Sequence, residues 1–122
     1  MRAAIILLGV MLAFPAVAAG PHPPCDGEDN WAAAMVGVYL KNNGLADKAG
    51  GYDTLTVERL ASEPLADGLF RQVHKVTIVD GGKRFTAITV NTASHQECSE
   101  SPVEVYLVSS LYAQASPRVS PH

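Results

Sequence analysis

The sequence predicts an α+β domain in which one N-terminal helix packs on a four-stranded antiparallel meander. Three observations predict it: an apolar period of helical spacing after Asp26, a marked β-hairpin from Leu69 to Val90, and alternating apolar residues on both sides of that hairpin. Because the links between the strands are short, we expect consecutive strands to be neighbours in the sheet. The single predicted helix must then cover the apolar face.

The N-terminal stretch has the features of a secretory signal peptide. Arg2 precedes an apolar run from Ala3 to Phe14, and Ala16 to Ala19 supplies the small residues that signal peptidase requires. The apolar run is short for a membrane span. We therefore expect residues 1–19 to be removed, leaving a periplasmic or secreted protein with no stable membrane anchor.

The remaining chain, about a hundred residues, is enough for one hydrophobic core. We place a single domain at residues 20–112 and a flexible tail at residues 113–122. The chain has nine Lys and Arg against twelve Asp and Glu, and the removal of Arg2 leaves a net charge of about −4. A mildly acidic chain without a basic cluster argues against nucleic acid or anionic lipid as a partner.

The helix is predicted from near residue 28 to residue 42. Acidic residues at its start suit the positive end of the helix dipole. Asn43 or Gly44 is expected to end it in the left-handed conformation. Four apolar residues recur at the spacing of one helix face, and we expect this stripe to be buried. They are Trp31, Ala34, Met35 and Val38.

The strands are predicted from alternation and from turn residues. Asp53 to Leu60 is expected to form the first strand, closed by Pro64, and Val103 to Tyr112 the last. Between them, Gly81 and Gly82 can adopt the positive φ that a tight hairpin turn requires.

The apolar face of this central hairpin changes sides along its length. Near the turn, the apolar pairs on one face are Ile78/Phe85 and Val76/Ala87. Further away, the apolar pair Val73/Val90 lies on the opposite face. The change predicts a β-bulge near Lys75 or Ala87 or, alternatively, a one-residue shift in register.

The order of elements from Asp26 to Tyr112 resembles the cystatin-like fold. The segment Gln72 to Val76 keeps the Gln of the inhibitory Gln-x-Val-x-Gly pattern of cystatins but has His74 and Val76 in place of its Val and Gly. Trp31 is the only tryptophan, so the Pro-Trp pair of the family's second inhibitory hairpin is missing as well. The resemblance therefore implies the fold and carries over no inhibitory residue.

Cys25 and Cys98 are predicted to form a disulfide, which oxidising compartments favour. In the chain-entropy model such a crosslink stabilises a small domain by about 4 kcal/mol. The alternative is a zinc site, because His22 and His95 each precede a cysteine by three positions. We favour the disulfide, since thiols outside the cytosol are readily oxidised, and we expect no metal or other cofactor.

No set of residues has the pattern of a nucleophile with its base, so we expect no catalytic residues and no enzyme activity. The expected function is that of a small binding protein, such as an inhibitor or immunity-type factor acting on an envelope or secreted protein. The expected binding surfaces are the hairpin tip and the loop before the last strand. Their residues are Asp80, Gly81, Gly82, Lys83, Arg84, His95, Gln96 and Glu97.

Two other classes of function stay open. A small ligand carrier or enzyme would have a pocket between the helix and the sheet. Its lining would be Trp31, Met35, His74 and Val76. An accessory subunit of an envelope assembly would instead show a long unpaired strand edge at Val103 to Leu111.

Overall fold

The computed structural model describes residues 22–27 and 30–112. The described residues form one α-helix, α1 (Trp31–Asn42), and four strands: β1 (Thr54–Pro64), β2 (Phe70–Asp80), β3 (Lys83–Ala93) and β4 (Glu104–Tyr112). The strands pair antiparallel in the order β1-β2-β3-β4. The predicted α+β fold, one helix on a four-stranded antiparallel meander, is confirmed.

The predicted signal peptide at residues 1–19 and the predicted tail at residues 113–122 lie outside the described residues. Within the described part of the chain, no helix is long and apolar enough to cross a membrane.

Helix α1 is capped at both ends by polar backbone and side-chain contacts. The side-chain oxygen of Asn30 accepts hydrogen bonds from the backbone N–H groups of Ala32 at 2.6 Å and Ala33 at 3.4 Å. Asparagine is among the best N-cap residues, so the helix begins after Asn30, later than predicted. At the other end, Gly44 has a φ of 69°, which confirms the predicted left-handed stop.

The helix face predicted to be buried is the wrong one. Trp31 is 49% exposed, Val38 is 37% exposed, and Ala34 is exposed as well. The buried residues of α1 are Ala32, Ala33, Val36, Gly37 and Leu40. The last four of these residues have the same i, i+3, i+4, i+7 spacing as the predicted stripe. The helical period of apolar residues therefore fits either face of α1.

Gly37 explains which face is buried. A Cβ at this position would lie 2.6 Å from both the carbonyl oxygen of Ala49 and the hydroxyl of Tyr52. The chain between α1 and β1 therefore packs directly on the Gly37 side of the helix, which needs a residue without a side chain. This contact favours the stripe that contains Gly37 over the larger side chains of the other stripe.

The hydrophobic core lies between α1 and the hairpin-proximal half of the sheet. Its buried members are Ala33, Val36, Leu40, Val76, Ile78, Phe85 and Ala87. The predicted pairs Ile78/Phe85 and Val76/Ala87 are confirmed. The helix packs mainly on β3, with further contacts to β2 and β4, so β1 lies at its margin.

The central hairpin pairs without any register shift, from Phe70 opposite Ala93 to Asp80 opposite Lys83. The predicted bulge is therefore not in this pair, and neither is the alternative shift. A register shift does occur beside Ala87, but between β3 and β4. There Val108 of β4 is a bulge residue with no partner in the register of β3.

The apolar residues of the hairpin change faces for a different reason. On the side of Val76 away from the turn, the buried face of the sheet is largely polar. The buried polar residues there are Gln72, His74, Thr89 and Asn91, and the apolar pair Phe70/Ala93 follows at the far end. Val73 and Val90 consequently lie on the opposite face and are half-buried.

Candidate functional site

The tip of the central hairpin is tied to the chain between α1 and β1. Gly81 and Gly82 have φ values of 56° and 79°, as the tight turn requires. Asp53 accepts a hydrogen bond from the backbone N–H of Gly81 at 3.0 Å, and Asp80 accepts one from the N–H of Asp53 at 3.3 Å. Lys48 lies 3.5 Å from the Asp80 carboxylate. The tip is thus attached to a second segment.

The loop after β3 is organised by Ser94. Its hydroxyl oxygen accepts hydrogen bonds from the backbone N–H groups of Gln96 at 3.2 Å and Glu97 at 3.1 Å. The same hydroxyl donates to Glu100 at 2.6 Å. His95, Gln96 and Glu97 are exposed, as a binding surface requires.

The structure does not bring these two predicted surfaces together. The tip ends with Lys83 and Arg84, the first two residues of β3, and the loop follows Ala93, the last residue of that strand. At a rise of about 3.3 Å per residue, the two surfaces lie about 30 Å apart, toward opposite ends of the sheet. They are therefore two separate candidate surfaces.

A groove of about 800 Å³ opens between α1 and β1. Its walls are Ala33 and Ala34 of the helix, the segment Ala49 to Asp53, and Thr54 to Thr56 of β1. The groove exists because α1 lies over the other strands, and because the alanine and glycine residues that line it fill little space. Sequence reasoning missed it, since the lateral position of a helix on a sheet has no local signal; the run Ala49-Gly50-Gly51 is the one hint.

The four residues predicted to line a pocket lie elsewhere. Val76 is fully buried in the core, His74 is 1% exposed, Met35 is half-buried, and Trp31 is largely exposed. None of them lines the groove. The interface between helix and sheet where they were expected to form a cavity is filled by the core side chains.

His74 is the centre of a polar cluster on the second half of the buried face. Its Nε2 atom lies 3.5 Å from Asp26 Oδ1 and 3.4 Å from Asn30 Nδ2. Because the Asn30 oxygen caps α1, its amide nitrogen is the atom that faces the imidazole. Arg59 lies 3.4 Å from the same Asp26 oxygen. The cluster thus joins the N-terminal segment, α1, β1 and β2.

Burial lowers the pKa of His74 below its ordinary value of 6.5. Loss of solvation is the largest cause, while Asp26 opposes it and Arg59 adds to it. The imidazole is therefore neutral at pH 7. A general base must reach its substrate, and a side chain that is 1% exposed does not, so we assign His74 a structural role.

The polar half of the sheet also holds the irregular segments that cover it. Gln72 Nε2 donates to the carbonyl oxygen of Pro23 at 3.1 Å, and Asn91 Nδ2 donates to that of Cys98 at 2.7 Å. The predicted disulfide between Cys25 and Cys98 is confirmed and joins the two covering segments across 73 positions of sequence.

The zinc alternative is wrong, because both thiols are in the disulfide. His22 and His95 instead pack edge-on against Phe70, with ring centroids 5.2 Å and 5.4 Å from it. Within residues 22–27 and 30–112, no three metal-binding side chains come together.

Strand β4 forms one edge of the sheet and β1 the other. Along β4, Tyr106, Val108 and Leu111 are 54%, 61% and 59% exposed. In the described part of the chain, the outer edge of β4 has no neighbouring strand. This is the feature that the assembly-subunit alternative predicted.

Comparison of the chain with protein-family models, curated proteins and solved structures finds no match. The class of protein is therefore defined by its own structure, a disulfide-linked domain with one helix on a four-stranded antiparallel sheet.

Proposed function

We propose that this is an exported, non-catalytic binding protein that takes an extended segment of a partner protein into the groove between α1 and β1. The observation that carries the proposal is that this groove lies beside β1, a sheet edge that no other strand of the described residues pairs with. An inhibitor or immunity-type factor for an envelope or secreted protein fits this mode of action. The disulfide and the signal-like N-terminus support a periplasmic or secreted location, and the element order supports a cystatin-like fold.

An extended protein segment suits the groove for two reasons. The groove is open to solvent, whereas small-molecule sites usually bury most of the ligand surface. Thr54 to Thr56 also present strand backbone at an edge that is unpaired in the described residues. A segment added beside β1 would form main-chain hydrogen bonds and direct alternate side chains into the groove.

The hairpin tip is placed to take part in this interface. Asp53 lines the groove and accepts the hydrogen bond from Gly81, so the tip adjoins the end of the groove. The loop at His95 to Glu97 lies at the other end of the sheet. We therefore propose that a segment in the groove contacts residues Asp80 to Arg84 and does not reach the loop.

Filling the groove tests the proposal. Ala34→Trp places a large side chain in the groove. We expect the amount of a protein partner retained from envelope fractions to fall at least about tenfold, because the tryptophan occupies the space that the partner segment would fill. Ala66→Trp, at an exposed position outside the groove, is the matched control and should retain the partner. A partner that is retained equally by Ala34→Trp would show that binding does not use the groove.

The ligand-carrier alternative is favoured by one observation, the groove volume. About 800 Å³ falls within the range of roughly 300–1,000 Å³ typical of small-molecule sites. Native mass spectrometry of the purified protein distinguishes the two functions. A small molecule that is retained by Ala66→Trp and lost from Ala34→Trp would favour the carrier over the protein-binding role.

A further inference from the structure

The two edges of the sheet differ in the residues that protect edge strands. From Val105 to Leu111, β4 has no charged residue and no proline. The β1 strand contains Glu58, Arg59, Glu63 and Pro64. Charges and prolines on an edge strand oppose pairing with another chain. From Glu58 onward the β1 edge therefore carries such protection, whereas Thr54 to Val57 beside the groove and seven consecutive positions of β4 lack it.

The bulge in β4 places two exposed apolar residues on the same face. Tyr106 pairs with Ile88, and Leu111 pairs with Arg84; both lie on the face opposite to the hydrophobic core. In a regular strand, residues five positions apart point to opposite faces. The extra residue Val108 reverses this alternation, so Tyr106 and Leu111 share the solvent-facing side.

We propose that the β4 edge binds the β4 edge of a second copy of this chain, antiparallel about a two-fold axis near Val108. This arrangement sets Tyr106 of each copy beside Leu111 of the other, on the same face of a sheet that continues through both copies. The contact is self-complementary, as a two-fold symmetric interface requires. It goes beyond the proposed partner groove, which lies at the opposite edge of the sheet.

Charge complementarity supports a second copy as the occupant. Glu104 begins β4, and the exposed Arg84 pairs with Leu111 near its other end. An antiparallel copy therefore places Glu104 of each chain toward Arg84 of the other, so the dimer has two such contacts between opposite charges. Tyr106 donates a hydrogen bond to Glu104 at 2.6 Å, which holds this carboxylate beside the apolar contact.

Sedimentation velocity over a concentration series tests the dimer, with the full chain expressed with its own N-terminal segment. Val108→Lys should raise the dimer dissociation constant at least about tenfold, because two lysines would meet near the axis. Leu60→Lys is the matched control, since Leu60 is the exposed extra residue of the β1 bulge, and it should leave the constant unchanged. A monomeric wild-type chain at every concentration, a Val108→Lys dimer as tight as wild type, or equal loss in Leu60→Lys would each overturn the proposal.

Exchange of the charged pair tests the antiparallel arrangement independently of Val108. Glu104→Arg and Arg84→Glu should each weaken the dimer, because each variant brings like charges together. The double variant should dimerise more tightly than either single variant. Failure of the double variant to recover would overturn the proposed arrangement. Circular dichroism of each variant verifies the fold, and both side chains are exposed.

Discussion

The buried face of the sheet has two halves that are held in different ways. The half near the hairpin turn is apolar and is covered by α1, while the distant half is largely polar, with Phe70 and Ala93 at its end, and is covered by residues 22–27 and the loop after β3. A helix satisfies its own backbone hydrogen bonds, so a helix face of apolar side chains can cover an apolar sheet without leaving polar groups unpaired. Irregular segments present free carbonyl groups, such as those of Pro23 and Cys98, which need donors when they are buried. The covering element therefore explains the polarity of the strand residues beneath it.

The two halves also differ in how strongly they bind the segments that cover them. Apolar burial in the α1 half acts over the whole contact area and needs no alignment. A typical hydrogen bond contributes only about 1 kcal/mol net, so the contacts of Gln72 and Asn91 fasten the N-terminal segment and the loop weakly. The disulfide provides the additional restraint. Three changes in sequence or pH test this contrast.

The largest effect is expected in the apolar half. Phe85→Ala should lower the free energy of unfolding by about 3–5 kcal/mol, because Phe85 is 2% exposed and its loss leaves a cavity against α1. Chemical denaturation measures this change. Leu60→Ala, at a position that is 49% exposed and outside the proposed β4 interface, is the control and should change stability by less than about 0.5 kcal/mol. Equal losses in the two variants would show that the core is elsewhere.

The disulfide should matter next, and chiefly in the polar half. Replacing Cys25 and Cys98 together with serine should lower the free energy of unfolding by about 2–4 kcal/mol. Hydrogen exchange should increase more at Gln72 to His74 than at Val76 to Ile78, because the segment that the disulfide holds in place covers the former. Uniform acceleration along β2 would contradict the division of the sheet into two halves.

The smallest effect is the pH dependence contributed by His74. Burial lowers its pKa below 6.5, so the unfolded chain takes up a proton at higher pH than the native protein does. This contribution to stability is complete above about pH 6.5 and is lost as the pH falls toward the lower native pKa. The charged groups facing the imidazole are Asp26 and Arg59.

His74→Gln should reduce the slope of unfolding free energy between about pH 7 and about pH 5, which denaturation at several pH values measures. Circular dichroism of His74→Gln at pH 7 verifies that the variant keeps the fold. A slope that is identical in wild type and His74→Gln would mean that another group titrates in this range.

The hairpin, its register and the disulfide could be predicted from the sequence because each depends on few residues. Gly81 and Gly82 define the turn, and the turn sets every pairing from Asp80 opposite Lys83 outward. The polar half could have been anticipated from the same register, which placed His74 and Thr89 on the core face. The expectation of a bulge came from assuming that a buried face must be apolar throughout.

The candidate sites were less accessible to sequence reasoning. The sequence marks the tip and the loop as exposed turns, but their separation along β3 follows from the topology. The groove depends on where α1 lies across the sheet, and the exposed β4 edge depends on which strand is outermost. Neither property is encoded in a single segment.

By itself, the sequence determined the secondary structure, the order of the elements, the hairpin register and the cysteine pairing, because local turn geometry and short connections leave few alternatives. Only the tertiary structure decided which face of α1 is buried. Two stripes of equal spacing compete, and the contact of Ala49 and Tyr52 with Gly37 selects between them. It also decided that half of the sheet face is polar, since hydrogen bonds to the covering segments exist only once those segments are in place.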